Sequence, residues 1–254
     1  MKLFAGQFNP IAGQLDLNIQ KHIELIELAV KQGADLVFFS ELSITGYQLT
    51  LADQFASTLN DECFDCFQKL SDECNVIIGI GVPLKSITLI SSAANLDDKN
   101  TIGMIFFQPN KHRQSYSKQM IHSSEMPFFK QGSAQLYIHE HNEVLVPGIC
   151  YESLQSSHSE CAIKNGMTVY LASVAKDEEG YQRGIEHYSN LAKCSNVIVL
   201  MANSYGQCEG FDSCGLSAVW NKQGDRVAQL GNADDGLVGI DTVSCENFVI
   251  KVKR

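Results

Sequence analysis

Val144-Leu145-Val146-Pro147-Gly148-Ile149-Cys150-Tyr151-Glu152-Ser153 is the stretch on which the reading of this chain turns. An apolar run ends in a glycine and a cysteine, and a polar, helix-permitting segment follows. The pattern predicts a buried strand feeding a sharp turn with Cys150 at its tip. A thiol placed there is lifted out of the core, and the next backbone N–H groups point at whatever it attacks. The same logic presents the serine of a G-x-S-x-G elbow. The competing reading is a buried structural cysteine, because free cysteine is among the most buried residue types.

Working outward, residues 135–139 and 143–149 predict paired strands around His141-Asn142. After Cys150 come a helix over 154–165 stopped by Gly166, a strand over 167–173, a helix over 183–194 and a strand over 196–201. A hairpin over 215–220 and 226–230 follows, then terminal strands over 236–241 and 248–252. Before Cys150, residues 3–8 form a first strand. Leu15, Ile19, Ile23, Ile26 and Val30 recur at three- and four-residue steps, which predicts a helix over 16–31, with Gly33 as its stop. Residues 35–39 are almost continuously apolar, as expected for a strand buried on both faces. Thr45-Gly46-Tyr47 is a turn. A second helix is predicted over 51–74 and a strand over 75–82. Residues 87–96 and 101–107 read as a hairpin around Asp97-Asp98-Lys99-Asn100, and 113–132 as a long surface loop. No linker, repeat or low-complexity segment interrupts this order. The alternation predicts one α/β domain over 1–254, with mixed sheets covered by helices.

The 254 residues are 44% hydrophobic, enough for a full core. Nineteen basic against 29 acidic residues give a net charge of −10, which argues against a nucleic-acid or anionic-membrane surface. No stretch is long enough to span a bilayer, and the N-terminus reads as a strand rather than a signal peptide. Nine cysteines, an odd count at irregular spacing, fit reduced thiols in the cytoplasm better than a disulfide framework.

Glu41 closes the most apolar strand, and ligand sites in α/β sheets sit at the carboxyl ends of strands. Partly desolvated behind Phe38 and Phe39, its pKa would rise toward neutrality, which suits a general base. A solvated strand-end carboxylate is the plainer alternative. Lys118 in Tyr116-Ser117-Lys118 is either a surface lysine or a fixed ammonium for a developing oxyanion. Glu125 could hold that lysine or contact the substrate.

Five blocks in order carry a family resemblance. Phe39-Ser40-Glu41-Leu42-Ser43-Ile44-Thr45-Gly46-Tyr47 resembles the F-P-E-L-x-x-T-G-Y block of the nitrilase superfamily of carbon–nitrogen hydrolases. Tyr116-Ser117-Lys118, with Glu125 and Phe128 behind it, resembles that family's Y-x-K block. Gly148-Ile149-Cys150-Tyr151-Glu152 is similar to G-x-x-C-Y/W-E, one residue shorter between glycine and cysteine. Ala202-Asn203-Ser204-Tyr205-Gly206 resembles A-N-x-x-G. Gly215-Leu216-Ser217 and the following Gly224-Asp225-Arg226-Val227 resemble the late G-x-S and G-x-V pieces.

The resemblance implies a four-layer α-β-β-α sandwich that dimerises through outer helices. It implies Cys150 as nucleophile, Glu41 as the base that takes its proton, and Lys118 with the Tyr151 N–H as oxyanion stabilisers. Glu125 would position substrate or Lys118, with Tyr47, Tyr151 and Phe128 in support. The expected activity is hydrolysis of a small-molecule amide, an ω-amide or related, through a thioester, without cofactor or metal. A nitrile or N-carbamoyl substrate, or a silent binding module, are the alternatives. Two departures stand out. Ser40 replaces a usual proline, and Leu191-Ala192-Lys193-Cys194-Ser195-Asn196 lacks the family's R-A-x-E-N pattern, which puts helix packing and the dimer surface in question.

Other features point elsewhere only weakly. Cys63-x-x-Cys66 has no second pair at zinc spacing, and reads as two small fillers on one helix face. His139-x-His141 reads as solvated histidines. Gly79-Ile80-Gly81 lacks the third glycine and the helix of a dinucleotide loop. Asp177-Glu178-Glu179 reads as a solvated loop that could rim a pocket. Phe128, Phe129 and Tyr181 are pocket candidates or core. Specificity is expected from loops around 120–132 and 174–188.

Overall fold

The computed structural model describes residues 1–85 and 99–252. The first half of the chain gives β1 (Lys2–Gln7), α1 (Leu15–Lys31), β2 (Leu36–Phe38), α2 (Ala52–Phe55), α3 (Asp65–Cys74), β3 (Ile77–Leu84), β4 (Thr101–Phe107) and β5 (Gln114–Ser117). Then come β6 (Ile138–Glu140), β7 (Glu143–Ile149), α4 (Ser156–Lys164), β8 (Val169–Val174), α5 (Glu178–Ser195) and β9 (Ile198–Asn203). The chain continues through β10 (Tyr205–Cys208), β11 (Phe211–Cys214), β12 (Ala218–Trp220), β13 (Arg226–Gln229), β14 (Gly236–Asp241) and β15 (Asn247–Lys251).

Among the described residues these strands make a seven-stranded sheet, β15-β14-β1-β2-β3-β4-β5, and a six-stranded sheet, β13-β12-β9-β8-β7-β6. Each has a parallel centre, β1-β2-β3 in one and β7-β8-β9 in the other, with antiparallel strands outside it.

Side-chain alternation along these strands dictates four layers. In β1, Leu3 and Ala5 enter the core between the sheets, whereas Phe4 faces the core under α1 and α3. In β8, Val169 and Leu171 point between the sheets, and Tyr170, Ala172 and Val174 point to the core under α4 and α5. Both sheets are thus covered on both faces, which is why their central strands read as unbroken apolar runs. Each large side chain so buried contributes about 1.5–3 kcal/mol. The order helix–sheet–sheet–helix is the expected sandwich.

Several expected elements need correction. The helix predicted over 51–74 is broken: α2 stops at Phe55, and Ser57 leaves to bridge Leu84. Asp61 accepts from the Thr58 N–H at 3.1 Å. Such side-chain bonds compete with helix continuation, so α3 restarts only at Asp65. The predicted strand over 87–96 and the turn at Asp97-Asp98 lie outside the described residues, and β4 pairs with β3.

The segment 113–132 is no surface loop. It carries β5, and Tyr116, Lys118, Ile121, Glu125 and Phe129 are buried. Nor is Asp177-Glu178-Glu179 a solvated loop: Asp177 caps α5 by accepting from the Gly180 N–H at 2.7 Å, so the helix begins at Glu178 rather than Arg183. The β10–β11 hairpin was not foreseen. Cys63 is exposed while Cys66 packs on the core under α3, so the two do not fill one face. His139 and His141 are exposed. Among the described residues no three His, Cys, Asp or Glu side chains gather to hold a metal ion, and no helix is long and apolar enough to cross a membrane.

Candidate active site

The strand β7 ends in the predicted turn. Cys150 has φ +46°, in the left-handed region that costs a non-glycine residue about 1 kcal/mol or more. The surroundings hold it there. Its N–H donates to the Ser173 carbonyl at 3.0 Å, and its own carbonyl accepts from the Ser153 N–H at 3.1 Å and Ser153 Oγ at 2.7 Å. Tyr188 Oη holds Ser153 Oγ at 2.6 Å. Two residues before the thiol, a Cβ on Gly148 would sit 2.1 Å from Tyr170 Oη, so only glycine fits.

Glu41 stands in the tight turn after β2. Ser43 Oγ, inside that turn, accepts from the Gly81 N–H at 3.2 Å and bonds His22 Nε2 at 2.9 Å. His22 Nδ1 in turn lies 2.7 Å from the Asn18 carbonyl of α1. Burial lowers the His22 pKa to about 4, so the ring is a neutral brace. A Cβ on Gly81 would approach the Ser40 carbonyl to 2.3 Å. Gly81 therefore serves close packing of β3 under this turn, and Gly79 makes room for the Phe106 ring.

Lys118 follows β5. Its Nζ donates to Glu41 Oε1 at 2.8 Å and to Glu125 Oε1 and Oε2 at 2.7 and 2.8 Å. All three side chains are sealed from solvent. Glu125 is further fixed by Tyr47 Oη at 2.8 Å and the His122 N–H at 2.8 Å. Glu41 Oε2 is buried and meets no hydrogen-bond partner. The Cys150 thiol lies beside that carboxylate and itself contacts the Ala175 carbonyl at 3.6 Å.

Burial pushes the Glu41 carboxyl up to about 7, against the pull of Lys118. Burial alone would lower the Lys118 ammonium, but Glu41 and Glu125 outweigh it and hold the charge in place. Burial, aided by Glu41, also pushes the Cys150 thiol up to about 11, with Lys176 and Lys118 opposing. Desolvation outweighs both ammonium groups, so the sulfur keeps its proton until substrate is in place.

Cys150 and Glu125 open onto a cavity of about 670 Å³ also lined by Tyr47, Tyr151, Lys176, His187 and Phe211 among others. Phe211, from the β10–β11 hairpin, stands edge-on to Tyr47 with ring centroids 5.4 Å apart. Of the other expected residues, Phe128 and Phe129 pack on the inter-sheet core. Tyr181 is core, accepting from Arg226 and Gln229. The Leu191–Asn196 segment packs Leu191 and Ala192 under β8 and β9 and ends α5 with Asn196 in the left-handed conformation.

Four participants were missed: Glu152, His158, Lys176 and His187. Glu152 stood inside the quoted stretch without a role. His158 accompanies it through Tyr116 Oη at 2.9 Å. Lys176 followed directly on a strand end, a signal that could have marked it.

A model of the carbon-nitrogen hydrolase family matches residues 4–246. The chain is 27% identical over 245 residues to a glutamine-dependent NAD(+) synthetase of Acinetobacter baylyi, covering 93% of this chain but only 43% of that protein. It therefore spans less than half the length of that relative. Among solved structures, an amidase of Nesterenkonia sp. AN1 carrying acrylamide on its active-site cysteine superposes with a TM-score of 0.81. That match has 18% identity and covers 96% of this chain and 94% of that one. A mutant of the same amidase with butyramide gives 0.80 at 17% identity, over 99% and 90%. Those likenesses establish a common fold. The chain belongs to the carbon-nitrogen hydrolase family.

Proposed function

We propose that the protein hydrolyses a small-molecule amide, an ω-amide or related, through a thioester on Cys150. The observation that carries this reading is the meeting of Glu41, Lys118 and Glu125 beside a cysteine on a left-handed elbow. Cys150 Sγ attacks the amide carbon as its proton passes to Glu41. Lys118, with the Tyr151 N–H, stabilises the tetrahedral oxyanion, a contribution typically of about 3 kcal/mol. Glu41 then gives its proton to the departing nitrogen, and ammonia or an amine leaves. Water enters, Glu41 takes its proton, and the thioester is cleaved to acid and free thiol.

The amides named with the Nesterenkonia structures and the glutamine named with the synthetase support a carboxamide as the bond attacked. The family resemblance supports a cytoplasmic homodimer with one domain over 1–254, and sedimentation velocity tests the dimer. Ammonia release from panels of amides, nitriles and N-carbamoyl compounds tests the chemistry. Amides should be turned over, and Cys150→Ala should abolish it. Full activity in the purified Cys150→Ala protein would exclude the mechanism.

A further inference from the structure

Beside Cys150 the cavity holds an ammonium that nothing in the described chain neutralises. Lys176 lies between β8 and α5, with its backbone locked. Its N–H donates to Asn203 Oδ1 at 2.9 Å, and its carbonyl accepts from the Cys214 N–H at 2.9 Å and Ser213 Oγ at 3.1 Å. The stem runs past Gly180, where Lys176 Cβ and Cγ would lie 3.6 and 3.7 Å from an added Cβ. The residue is only 6% exposed and lines the cavity. Among the described residues its Nζ makes no hydrogen bond and no ion pair, in contrast to the thrice-bonded Lys118.

The direction of that charge is given by what it acts on. Lys176 bears on both the Cys150 thiol and the His187 ring. His187 Nε2 is buried without a partner, and His187 lines the same cavity. The nearby carboxylates are otherwise engaged. Glu41 and Glu125 are held by Lys118. Asp177, on the cavity wall, caps α5. Glu178 accepts from Gln182, and Glu179 pairs with Arg183.

The stem of Lys176 is buried while its ammonium reaches the cavity without a counter-charge. An anionic ligand group would supply the missing partner. We propose that Lys176 binds a carboxylate of the substrate, so that the amides taken are half-amides of dicarboxylic acids. This rests on the amidase reading of the cavity and narrows it. The carboxylate seats on the Lys176 ammonium. The carboxamide lies at the other end, against Cys150. A neutral amide of the same length leaves the ammonium unpaired.

The test compares glutaramate with pentanamide, which share a chain length and differ in the terminal carboxylate. The wild-type protein should favour glutaramate in kcat/KM by about tenfold or more, chiefly through KM, as expected for a charge-assisted hydrogen bond. Lys176→Met should bring the ratio close to one, and Lys176→Arg should retain most of it. Lys176→Gln serves as a second variant should Lys176→Met fold poorly. No wild-type preference, or an equal loss on both amides in the variants, overturns the proposal and assigns the lysine to the thiol alone.

A readout independent of turnover separates the two readings. The rate of Cys150 alkylation by iodoacetate relative to iodoacetamide should fall by about tenfold in Lys176→Met. If neither amide is hydrolysed and this ratio still falls, the amidase reading fails and the carboxylate site stands. An unmoved ratio overturns the carboxylate site.

Discussion

Glu41 and Glu152 are both carboxylates sealed inside the protein, yet their surroundings are opposite. Glu152 is saturated: Oε1 accepts from Tyr116 Oη at 2.7 Å and the Ile149 N–H at 2.8 Å. Its Oε2 accepts from the Gln119 and Met120 N–H groups at 2.6 and 3.1 Å. Glu41 has Lys118 on one oxygen and nothing on the other. Burial raises both carboxyls. A filled carboxylate acts as a joint, here tying the segment after Lys118 to the turn that carries Cys150. A carboxylate with an empty oxygen is a reagent, because a proton can come and go without breaking the structure.

Exchanging each for a weaker group should separate the two roles. Glu41→Gln should lower kcat by about 10²–10⁴-fold, the usual contribution of a general base, while unfolding free energy moves by under about 1 kcal/mol. Lys118 keeps both Glu125 oxygens in that variant. An active Glu41→Gln enzyme would end the contrast. Glu152→Ala should do the reverse first, removing about 3–5 kcal/mol of stability because four donors, two of them fully buried, lose their acceptor. Denaturant titration reads this, and a loss under about 1 kcal/mol would show that Glu152 is no joint.

The pH dependence sharpens the same point. Glu41 must be ionised to take the thiol proton, and its pKa is raised to about 7. The rate kcat/KM should therefore rise with pH through about 7 and fall about tenfold per unit below it. The groups facing it are Lys118, Glu125, Tyr47 and Cys150, and of these Lys118 stays charged across the window. A flat profile between pH 5 and 8 would remove Glu41 as the base. The smallest effect is expected from Tyr47→Phe, which deletes one bond to Glu125. That should cost about 1.5 kcal/mol or less, seen as a modest fall in kcat with Lys118 still in place.

The elbow at Cys150 could be read from residues 144–153 because strand, glycine and polar turn are local features. Glu41 could be read for the same reason, as the end of an apolar run. Lys118 and Glu125 were legible only through the family blocks. Their partners are distant in sequence, and the polar composition of 113–132 resembles a solvated loop although Tyr116, Lys118 and Glu125 within it are buried and hydrogen-bonded. Glu152 was visible as a letter in the motif, but nothing local says that it reaches back to 119–120. The failed helix over 51–74 has the apolar spacing of a helix, and the bridge of Ser57 to Leu84 with the hydrogen bonding of Thr58 and Asp61 breaks it. Lys176 escaped notice because a lysine at a strand end is ordinarily solvated.

The connectivity of the larger sheet has a consequence for biosynthesis. β1 and β14 are neighbours in the sheet, yet residues 236–241 are translated long after residues 2–7. Until residues 236–241 have left the ribosome, that edge stays unpaired and the layer bearing Glu41 and Lys118 is unfinished. Between the translation of Cys150 and that of β14, a nascent chain therefore carries its thiol beside an unfinished sheet.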